Sequence, residues 1–464
     1  MDYIENRTFD EIQVGDSASL VRTLTRDDIS LFAAMSGDVN PAHMDEEYAR
    51  SDPFHKVIAH GMWGGSLIST LLGTRLPGPG AVYLGQTLTF RRPVAVGDTV
   101  TVSVTARAKD PERHRVTFDC RCVNQKGELV IAGSAEVLAP TEKVRRPRVV
   151  LPAIHVHDPG VRYRQLIGLT RGLDPARTAV VHPVDPNSLR GAVEAAQARL
   201  ITPVLVGPEA RIRAVAQAEG IDLSPYELVP TEHSHAAAAR AVALARAGTV
   251  EALMKGSLHT DELMHEVVAR DTGLRTARRV SHVFAMDVPA YPRPLFLTDA
   301  AVNIYPDLED KRDIVQNAID LAGVLGIAEP KVAILSAVET VSPKLRSTLE
   351  AAALCKMADR GQITGGVVDG PLAFDNAVSE EAARAKGIVS PVAGRADILV
   401  VPDLEAGNLL AKQLEYLAEA QGAGIVLGAR VPVALTSRAD KPLGRMASCA
   451  LALLLARHKA AVKP

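Results

Sequence analysis

The sequence has no long basic run and no long apolar run, and both absences narrow its function. Its formal net charge is −2, so nucleic acid and anionic membranes, which attract strongly basic surfaces, are poor partners. No uncharged apolar segment approaches the roughly 20 residues that a membrane-spanning helix needs. The acidic and polar N-terminus, MDYIENRTFDEIQVGD, does not resemble a signal peptide. We therefore expect a cytoplasmic protein that binds neither membrane nor nucleic acid.

Cysteine is also scarce. The chain has 4 cysteines among 464 residues, which is too few for a disulfide framework. Cys120 and Cys122 fall on the apolar face of one predicted strand, and we interpret them as small buried apolar side chains rather than a metal or redox pair. The second half of the chain lacks both a Gly-x-Gly-x-x-Gly turn after a strand and a Walker A motif.

Two regions differ in the period of their apolar residues. From about residue 86 to residue 138 the period is two, as in TVTVSVTARA and RVTFDCRCV, and a helical apolar stripe precedes it in HGMWGGSLISTLLGTRL. From about residue 163, β-branched runs such as TAVVHP, TPVLVGP and ADILVVPD alternate with Ala-rich helical stretches, which predicts a mostly parallel sheet with crossover helices. We predict an α+β domain at 1–140, a linker or short docking strand at 141–160, and a two-lobed α/β domain at 161–464.

The segment AMSGDVNPAHMDEEYA places Asp38 and His43 on either side of Pro41. A carboxylate and an imidazole held close together can share one water, one removing a proton while the other donates one. His60-Gly61 opens the next predicted helix, and N–H groups at a helix start stabilise developing negative charge. The same residues also fit a helix cap, a turn and a surface histidine. Their spacing alone leaves both interpretations open.

Further motifs around this pair carry a family resemblance. SGDVNPAH fits the pattern Asp-x-Asn-Pro-x-His, and the helix start HGM and the strand pair YLGQTLTF and PVAVGD follow it. With these motifs, residues from about 8 to 140 resemble the MaoC-like, (R)-specific enoyl-CoA hydratase family. The resemblance implies a hot-dog fold, in which a sheet wraps one long helix, usually as a dimer. It also implies that Asp38 and His43 activate water, that the Gly61 N–H polarises the thioester carbonyl, and that Asn40 and Ser66 support substrate binding.

Predicted strand ends in the second half carry basic and hydroxyl residues. The segments are EALMKGSLHTDEL with Lys255 and Thr260, ILVVPDLEAGNLLAKQL with a turn at Gly407-Asn408 before Lys412, and VPVALTSRADKPLGR with Ser437, Arg438 and Asp440. Ligands of open α/β sheets bind at strand ends, and these side chains together with helix N-termini suit a phosphate-bearing ligand. Each turn taken singly is ordinary loop chemistry.

The stretches TDAAVNIYPDLEDKRDI, DGPLAFDNAVS and VPVALTSRAD resemble the phosphate acetyl/butyryl transferase family, over about residues 160–460 and nearer its butyryl branch. That family transfers an acyl group between CoA and phosphate without a metal or redox cofactor. The resemblance implies acyl-CoA and inorganic phosphate as substrates, with no metal and no tightly bound cofactor. It assigns Ser437 to the CoA sulfur and Arg438 to phosphate, and it places Lys255, Thr260 and Lys412 along the cleft.

The chain departs from the acetyl branch at two positions. That branch has a carboxylate seven residues after the serine, the proposed base for CoA, and the corresponding residue here is Gly444. It also has an arginine four residues after the lysine, where this chain has Tyr416. Asp440 is a candidate replacement for the missing base.

The combined prediction is a bifunctional acyl-CoA enzyme, a hydratase fused to a phosphate acyltransferase of acetyl, propionyl or butyryl range. We expect a homo-oligomer, either a dimer or a multiple of dimers. Two alternatives stay open for the second domain. It could be a degenerate CoA-binding or oligomerisation module, or a nicotinamide-dependent dehydrogenase-like domain.

Overall fold

The computed structural model describes residues 2–151, 154, 156, 160–435 and 441–462. The chain divides into two units, Met1–Val156 and His157–Pro464. Within the described part of the chain, no helix has both the length and the apolar character needed to cross a bilayer.

The first unit builds a sheet around one apolar helix. Its elements are β1 (Tyr3–Glu5), β2 (Ser17–Thr23), α1 (Arg26–Ser36), α2 (Pro41–Met44), α3 (Glu46–Ser51), α4 (Gly61–Thr74), β3 (Val82–Phe90), β4 (Thr99–Asp110), β5 (Arg115–Asn124), β6 (Leu129–Leu138) and β7 (Arg145–Pro147). The antiparallel sheet has the order β2-β4-β5-β6-β3, and β1 pairs with β7. This arrangement confirms the predicted α+β hot-dog fold.

Side-chain size decides how α4 meets the sheet. Trp63, Ile68, Leu71 and Leu72 of this helix are buried, as are the alternate residues of β4 and β5 that the period of two predicted to face the core. At Gly64, an added Cβ would lie 2.4 Å from Ile131 Cδ1. Glycine therefore lets the start of the helix approach the sheet closely.

The predicted linker at 141–160 is partly a strand of the first unit. Asn6 donates its side-chain amide to the Glu142 carbonyl at 2.9 Å and its backbone N–H to the Val144 carbonyl at 3.1 Å. The Arg148 N–H donates to the Asp2 carbonyl at 2.8 Å. The first unit thus extends past residue 140, because the returning chain satisfies backbone groups of the N-terminal strand.

Gly133 in β6 offers a test of this packing. An added Cβ there would lie 1.8 Å from the Thr87 carbonyl oxygen, which belongs to the neighbouring strand β3. We expect Gly133→Ala to lower the free energy of unfolding of the first unit by at least about 2 kcal/mol, measured by urea titration. Gly85→Ala in β3 is the matched control, because its Cβ would meet nothing within 4 Å. Equal stability of the two variants would contradict the close approach of β6 and β3.

The second unit alternates strands and helices. Its elements are α5 (Val161–Gly168), β8 (Ala176–Val181), α6 (Pro186–Gln197), β9 (Ile201–Gly207), α7 (Glu209–Glu219), β10 (Glu227–Pro230), α8 (Ser234–Arg246), β11 (Ala252–Lys255), α9 (Thr260–Val267), β12 (Ser281–Asp287), β13 (Leu295–Thr298), α10 (Leu308–Val324), β14 (Lys331–Leu335), α11 (Arg346–Asp359), β15 (Val367–Leu372), α12 (Phe374–Val378), α13 (Glu380–Ala385), β16 (Ile398–Val400), α14 (Leu404–Leu417), β17 (Gln421–Leu427), β18 (Val433–Ala434) and α15 (Pro442–Val462).

One continuous sheet runs through this unit in the order β10-β9-β8-β11-β18-β17-β12-β13-β16-β14-β15. Neighbours pair in parallel except at β18-β17, β17-β12 and β12-β13, and apolar clusters pack on its faces. This confirms the predicted mostly parallel sheet with crossover helices. Because three antiparallel pairings lie between them, β11 and β18 have their carboxyl ends at the sheet edge opposite to those of β13, β16 and β14.

The turn predicted at Gly407-Asn408 is wrong. Both residues lie inside α14, which begins at Leu404 after Asp403 accepts the Ala406 N–H at 2.9 Å as its cap. A Cβ on Gly407 would come within 2.8 Å of the Asp299 carbonyl oxygen. This glycine therefore serves close packing of the helix on the sheet and does not mark a turn.

Candidate active sites

The turn between α1 and α2 sets the position of Asp38. Helix α1 ends at Gly37, which has a left-handed backbone with φ of 77°. The Asn40 side chain accepts the Ala42 N–H at 3.0 Å and caps α2, while an Asp38 carboxylate oxygen accepts the Asn40 N–H at 3.2 Å. The cap is therefore Asn40, and Asp38 stays exposed.

His43 is half-buried near the end of α2. Its Nδ1 lies 2.9 Å from the Ile58 carbonyl oxygen, and because a carbonyl only accepts, Nδ1 carries the proton and Nε2 keeps the lone pair. Side-chain ligand atoms of Asp38, His43 and His60 all lie within 4.8 Å of one another. A water with hydrogen bonds of about 2.8 Å can bridge atoms up to about 5.6 Å apart. One water can thus contact both Asp38 and His43.

A cavity of about 270 Å³ opens beside His43 at the start of α4. Its wall is mostly apolar and comprises His43, Phe54, Ile58, Ala59, His60, Gly61, Trp63, Gly64, Phe90, Arg91, Arg92, Pro93, Val94, Cys122, Val130 and Ile131. Gly61 begins α4, so its N–H has no partner within the helix, and a Cβ there would lie 3.0 Å from the Phe90 ring. A mostly apolar cavity with a few polar groups in its wall suits an acyl chain that carries a carbonyl.

Three residues predicted for this site do not line the cavity. Asp38 is not part of the cavity wall, although it lies close to His43 and His60, which are. Asn40 is exposed, and its side chain caps α2. Ser66 is exposed, and its hydroxyl donates to the Trp63 carbonyl at 2.7 Å. The structure therefore brings Asp38 close to His43, and it places His43 and Gly61 in the wall of one cavity, which Asn40 and Ser66 do not line.

In the second unit, Lys255 ends β11 and is buried. The neighbouring parallel strand β18 places Ala434 opposite Met254, so both strands end at the same sheet edge. The turn that follows is tight, because a Cβ on Gly256 would lie 2.3 Å from the Val181 carbonyl oxygen. Thr260 begins α9 just beyond it and is half-buried.

The other residues predicted for the second site lie either outside the described part of the chain or on α14. Ser437, Arg438 and Asp440 follow β18 in the chain and lie outside the described residues. Lys412 lies on a helix, as the sequence predicted, but it is exposed in the third turn of α14 rather than close after a turn at Gly407-Asn408. Because α14 runs away from the carboxyl end of β16, Lys412 lies toward the opposite sheet edge, where β11 and β18 end.

Comparison with known proteins assigns both units to families. The MaoC like domain model matches residues 12–122, and the Phosphate acetyl/butaryl transferase model matches residues 231–453. A phosphate acetyltransferase of Rhizobium meliloti is 66% identical over 302 residues, 65% of this chain and 96% of that protein. The chain belongs to the phosphate acetyl/butyryl transferase family. Its first unit contains a MaoC-like domain.

Two further comparisons agree with this assignment. A phosphate butyryltransferase of Clostridium acetobutylicum is 41% identical over 64% of this chain and 99% of that protein. A branched-chain phosphotransacylase structure from Enterococcus faecalis is 31% identical over 60% of this chain and 99% of that chain, with a TM-score of 0.53. The Rhizobium protein is more similar to this chain than the butyryltransferase is, and the placement nearer the butyryl branch stays a prediction.

The transferase domain has a structural reason for one departure from the acetyl branch. Gly444 lies in the first turn of α15, where an added Cβ would be 3.1 Å from the Gly422 carbonyl oxygen of β17. A longer acidic side chain at this position would require that contact to shift. Tyr416, at the other departing position, is 73% exposed on α14 and extends into solvent.

A buried polar network in the transferase domain was not assigned from the sequence. One Asp299 carboxylate oxygen accepts N–H groups from His282 and Asn303, and the other accepts those of Ala301 and Val302. Burial lowers the pKa of His282 to about 3, so this imidazole is neutral at pH 7. Burial raises the pKa of Asp299, and its hydrogen bonds oppose that rise. Only the histidine inside the apolar run SHVFAM signals this network in the sequence.

The MaoC-like domain holds one site residue whose importance the sequence did not reveal. The sequence indicates His60 only as the residue before the helix start at Gly61, yet it is 3% exposed and its Nε2 lies 2.9 Å from the Asp38 carbonyl oxygen. Its ring also lies against His43, with centroids 4.1 Å apart. The signal available was the histidine directly before Gly61.

The cysteines provide a test of burial. Burial raises the pKa of the Cys120 thiol, that of Cys122 to about 11, and those of Cys355 and Cys449 to about 12. Since only the thiolate reacts, we expect fewer than one thiol per chain to react with Ellman's reagent within minutes at pH 8. All four should react in guanidinium chloride. Three fast thiols in the native protein would contradict the buried placement of Cys120 and Cys122, because at least one of the three would belong to that pair.

Proposed function

We propose that the chain is a two-site enzyme that acts on acyl-CoA thioesters. The MaoC-like domain would add water across a trans-2-enoyl-CoA to give the (R)-3-hydroxyacyl-CoA. The transferase domain would exchange CoA for phosphate, giving an acyl phosphate of the acetyl to butyryl range and free CoA. The observation that carries the hydratase half is the placement of Asp38 and His43 within reach of one water at an apolar cavity.

In the hydration step the water oxygen bonds to C3 of the enoyl group, and a proton reaches C2. The His43 Nε2 lone pair accepts a water proton, because its Nδ1 proton is held on the Ile58 carbonyl. Asp38 orients the same water. The Gly61 N–H, at the start of α4, stabilises the negative charge that develops on the thioester oxygen. The proton on His43 then returns to C2 of the product.

In the transferase step a phosphate oxygen attacks the thioester carbonyl, and the CoA sulfur leaves. Family membership and the 66% identical phosphate acetyltransferase of Rhizobium meliloti support this reaction. The buried Lys255 at the carboxyl end of β11 supplies positive charge at the sheet edge where ligands bind. Ser437 and Arg438, beyond β18, are assigned their roles by family resemblance.

Free thiol formation tests the transferase half. The protein is mixed with acetyl-, propionyl- or butyryl-CoA, with and without phosphate, and CoA release is followed. The buried cysteines keep the protein's own thiol background low. We expect release that depends on phosphate, with acyl phosphate trapped as the hydroxamate. No phosphate-dependent release from any of the three thioesters would exclude the transferase and favour a degenerate CoA-binding module.

Loss of enoyl absorbance tests the hydratase half. A short trans-2-enoyl-CoA is added, and the configuration of the 3-hydroxyacyl product is determined with an (R)-specific dehydrogenase. We expect hydration to the (R) product. A chelator is included because Asp38, His43 and His60 are ligand types that a metal ion also uses. Unchanged hydration in the chelator is expected for acid–base catalysis, and its abolition would overturn the acid–base assignment.

A further inference from the structure

His60 connects three parts of the candidate hydratase site. Its Nε2 lies 2.9 Å from the Asp38 carbonyl oxygen. Its ring stacks on Phe32 of α1, with centroids 4.9 Å apart and planes at 30°. It also meets the His43 ring, with centroids 4.1 Å apart. The next residue in the chain is Gly61, which begins α4 and lines the cavity.

The hydrogen bond fixes the tautomer of His60. A carbonyl oxygen only accepts, so Nε2 carries the proton and Nδ1 keeps the lone pair. Nδ1 is buried, and within the described residues no hydrogen-bond partner reaches it. Leaving a buried polar atom without a partner costs folding free energy.

Capping does not explain why a histidine stands here. His60 is the N-cap residue of α4, but its side chain makes no capping hydrogen bond. Serine, asparagine or aspartate would cap this helix better and would leave no buried lone pair. A histidine at this position therefore has a use other than the stability of the helix.

We propose that His60 is a positioning residue for hydration, an inference that rests on the proposed hydratase function. Its N–H holds the main chain at Asp38, and its ring face holds the plane of His43. Through the chain it also fixes the start of α4 at Gly61. His60 thus holds in place Asp38 and His43, which contact the water, and the Gly61 amide, which contacts the carbonyl. Displacement of such groups by about 1 Å can cost as much as 10²-fold in rate.

Three substitutions of His60 separate its hydrogen bond to the Asp38 carbonyl from its ring contact with His43. His60→Phe keeps the stacked ring and loses the N–H donor. His60→Gln keeps a donor and loses the ring, and His60→Ala loses both. We expect kcat for hydration to fall about 10-fold in each of the first two and about 10²-fold in the third. The KM should stay within about threefold, because the other residues of the cavity wall are unchanged.

If His60 had only a structural role, its substitutions would lower the melting temperature and leave kcat per folded molecule unchanged. The control is His265→Gln, an exposed histidine of α9 in the second unit, which should leave hydration at the wild-type rate. A kcat for His60→Ala within twofold of wild type would overturn the inference.

Nuclear magnetic resonance of ring-labelled histidine keeps this test independent of activity. If the wild-type protein hydrates no enoyl-CoA, the hydratase proposal fails, and the His43 signals still decide whether His60 positions that ring. We expect the wild type to show His43 as a single Nδ1–H tautomer and His60→Ala to show shifted or exchange-broadened His43 signals. Unchanged His43 signals in His60→Ala would overturn the inference.

Discussion

Replacing Asp38 by asparagine, or His43 by glutamine, is expected to lower kcat for enoyl-CoA hydration at least about 10²-fold. Asparagine lacks the carboxylate that orients the water, and a glutamine amide offers no lone pair of imidazole basicity to accept the water proton. The Asp38→Asn variant should keep wild-type stability, because Asp38 is exposed and Asn40, not Asp38, caps α2. Steady-state kinetics with a short enoyl-CoA, together with a melting curve, measures both effects.

Asp27→Asn is the matched control for this experiment. Asp27 is an exposed aspartate in the first turn of α1, and its substitution removes the same charge from the same unit. We expect its kcat to stay within twofold of wild type. Full activity in either Asp38→Asn or His43→Gln would remove that residue from the mechanism. A tenfold loss in Asp27→Asn would show that general charge, rather than the pair, controls the rate.

Replacing Lys255 by methionine is expected to lower phosphate-dependent CoA release at least about 10²-fold. Methionine keeps most of the side-chain length and removes the charge, so the buried site loses its electrostatic contribution to the developing negative charge. The transferase assay measures the effect, and the hydratase rate of the same preparation reports whether the first unit is intact.

Lys344→Met supplies the comparison for Lys255. Lys344 is an exposed lysine of the same unit, so its variant removes the same charge away from the ends of β11 and β18. We expect unchanged transferase activity. Acyl transfer by Lys255→Met within threefold of wild type would show that this lysine serves only the fold.

Local patterns predicted much of the fold. The alternation of Val100, Val102 and Val104 with polar residues indicated β4, and these side chains are buried as expected. The apolar stripe after Gly61 indicated α4, although Met62 is 54% exposed. Such patterns predict well because each residue's environment follows from the period of its own strand or helix.

Long-range pairing was not predictable in the same way. The reversal of direction across the large sheet depends on β18 pairing with β11, which lies far back in the chain. Gly407 was misleading, because a glycine in a sequence marks a turn and a close contact equally well. At the candidate hydratase site, the spacing of Asp38 and His43 fitted a cap as well as a catalytic pair. Only the hydrogen bond from Ala42 to Asn40 assigns the cap to a different residue.

The position of β18 has a consequence for synthesis on the ribosome. This two-residue strand lies between β11 and β17, so it joins the two oppositely directed halves of the sheet, and α15 is the one described element that follows it. The strands that are synthesised first, β8 to β11, therefore keep one sheet edge unpaired until nearly all strands of this sheet have been synthesised. Uncovered edges of this kind promote aggregation. The MaoC-like unit has its complete sheet long before that moment, so the N-terminal part of the chain can fold while the second unit still depends on its last strand.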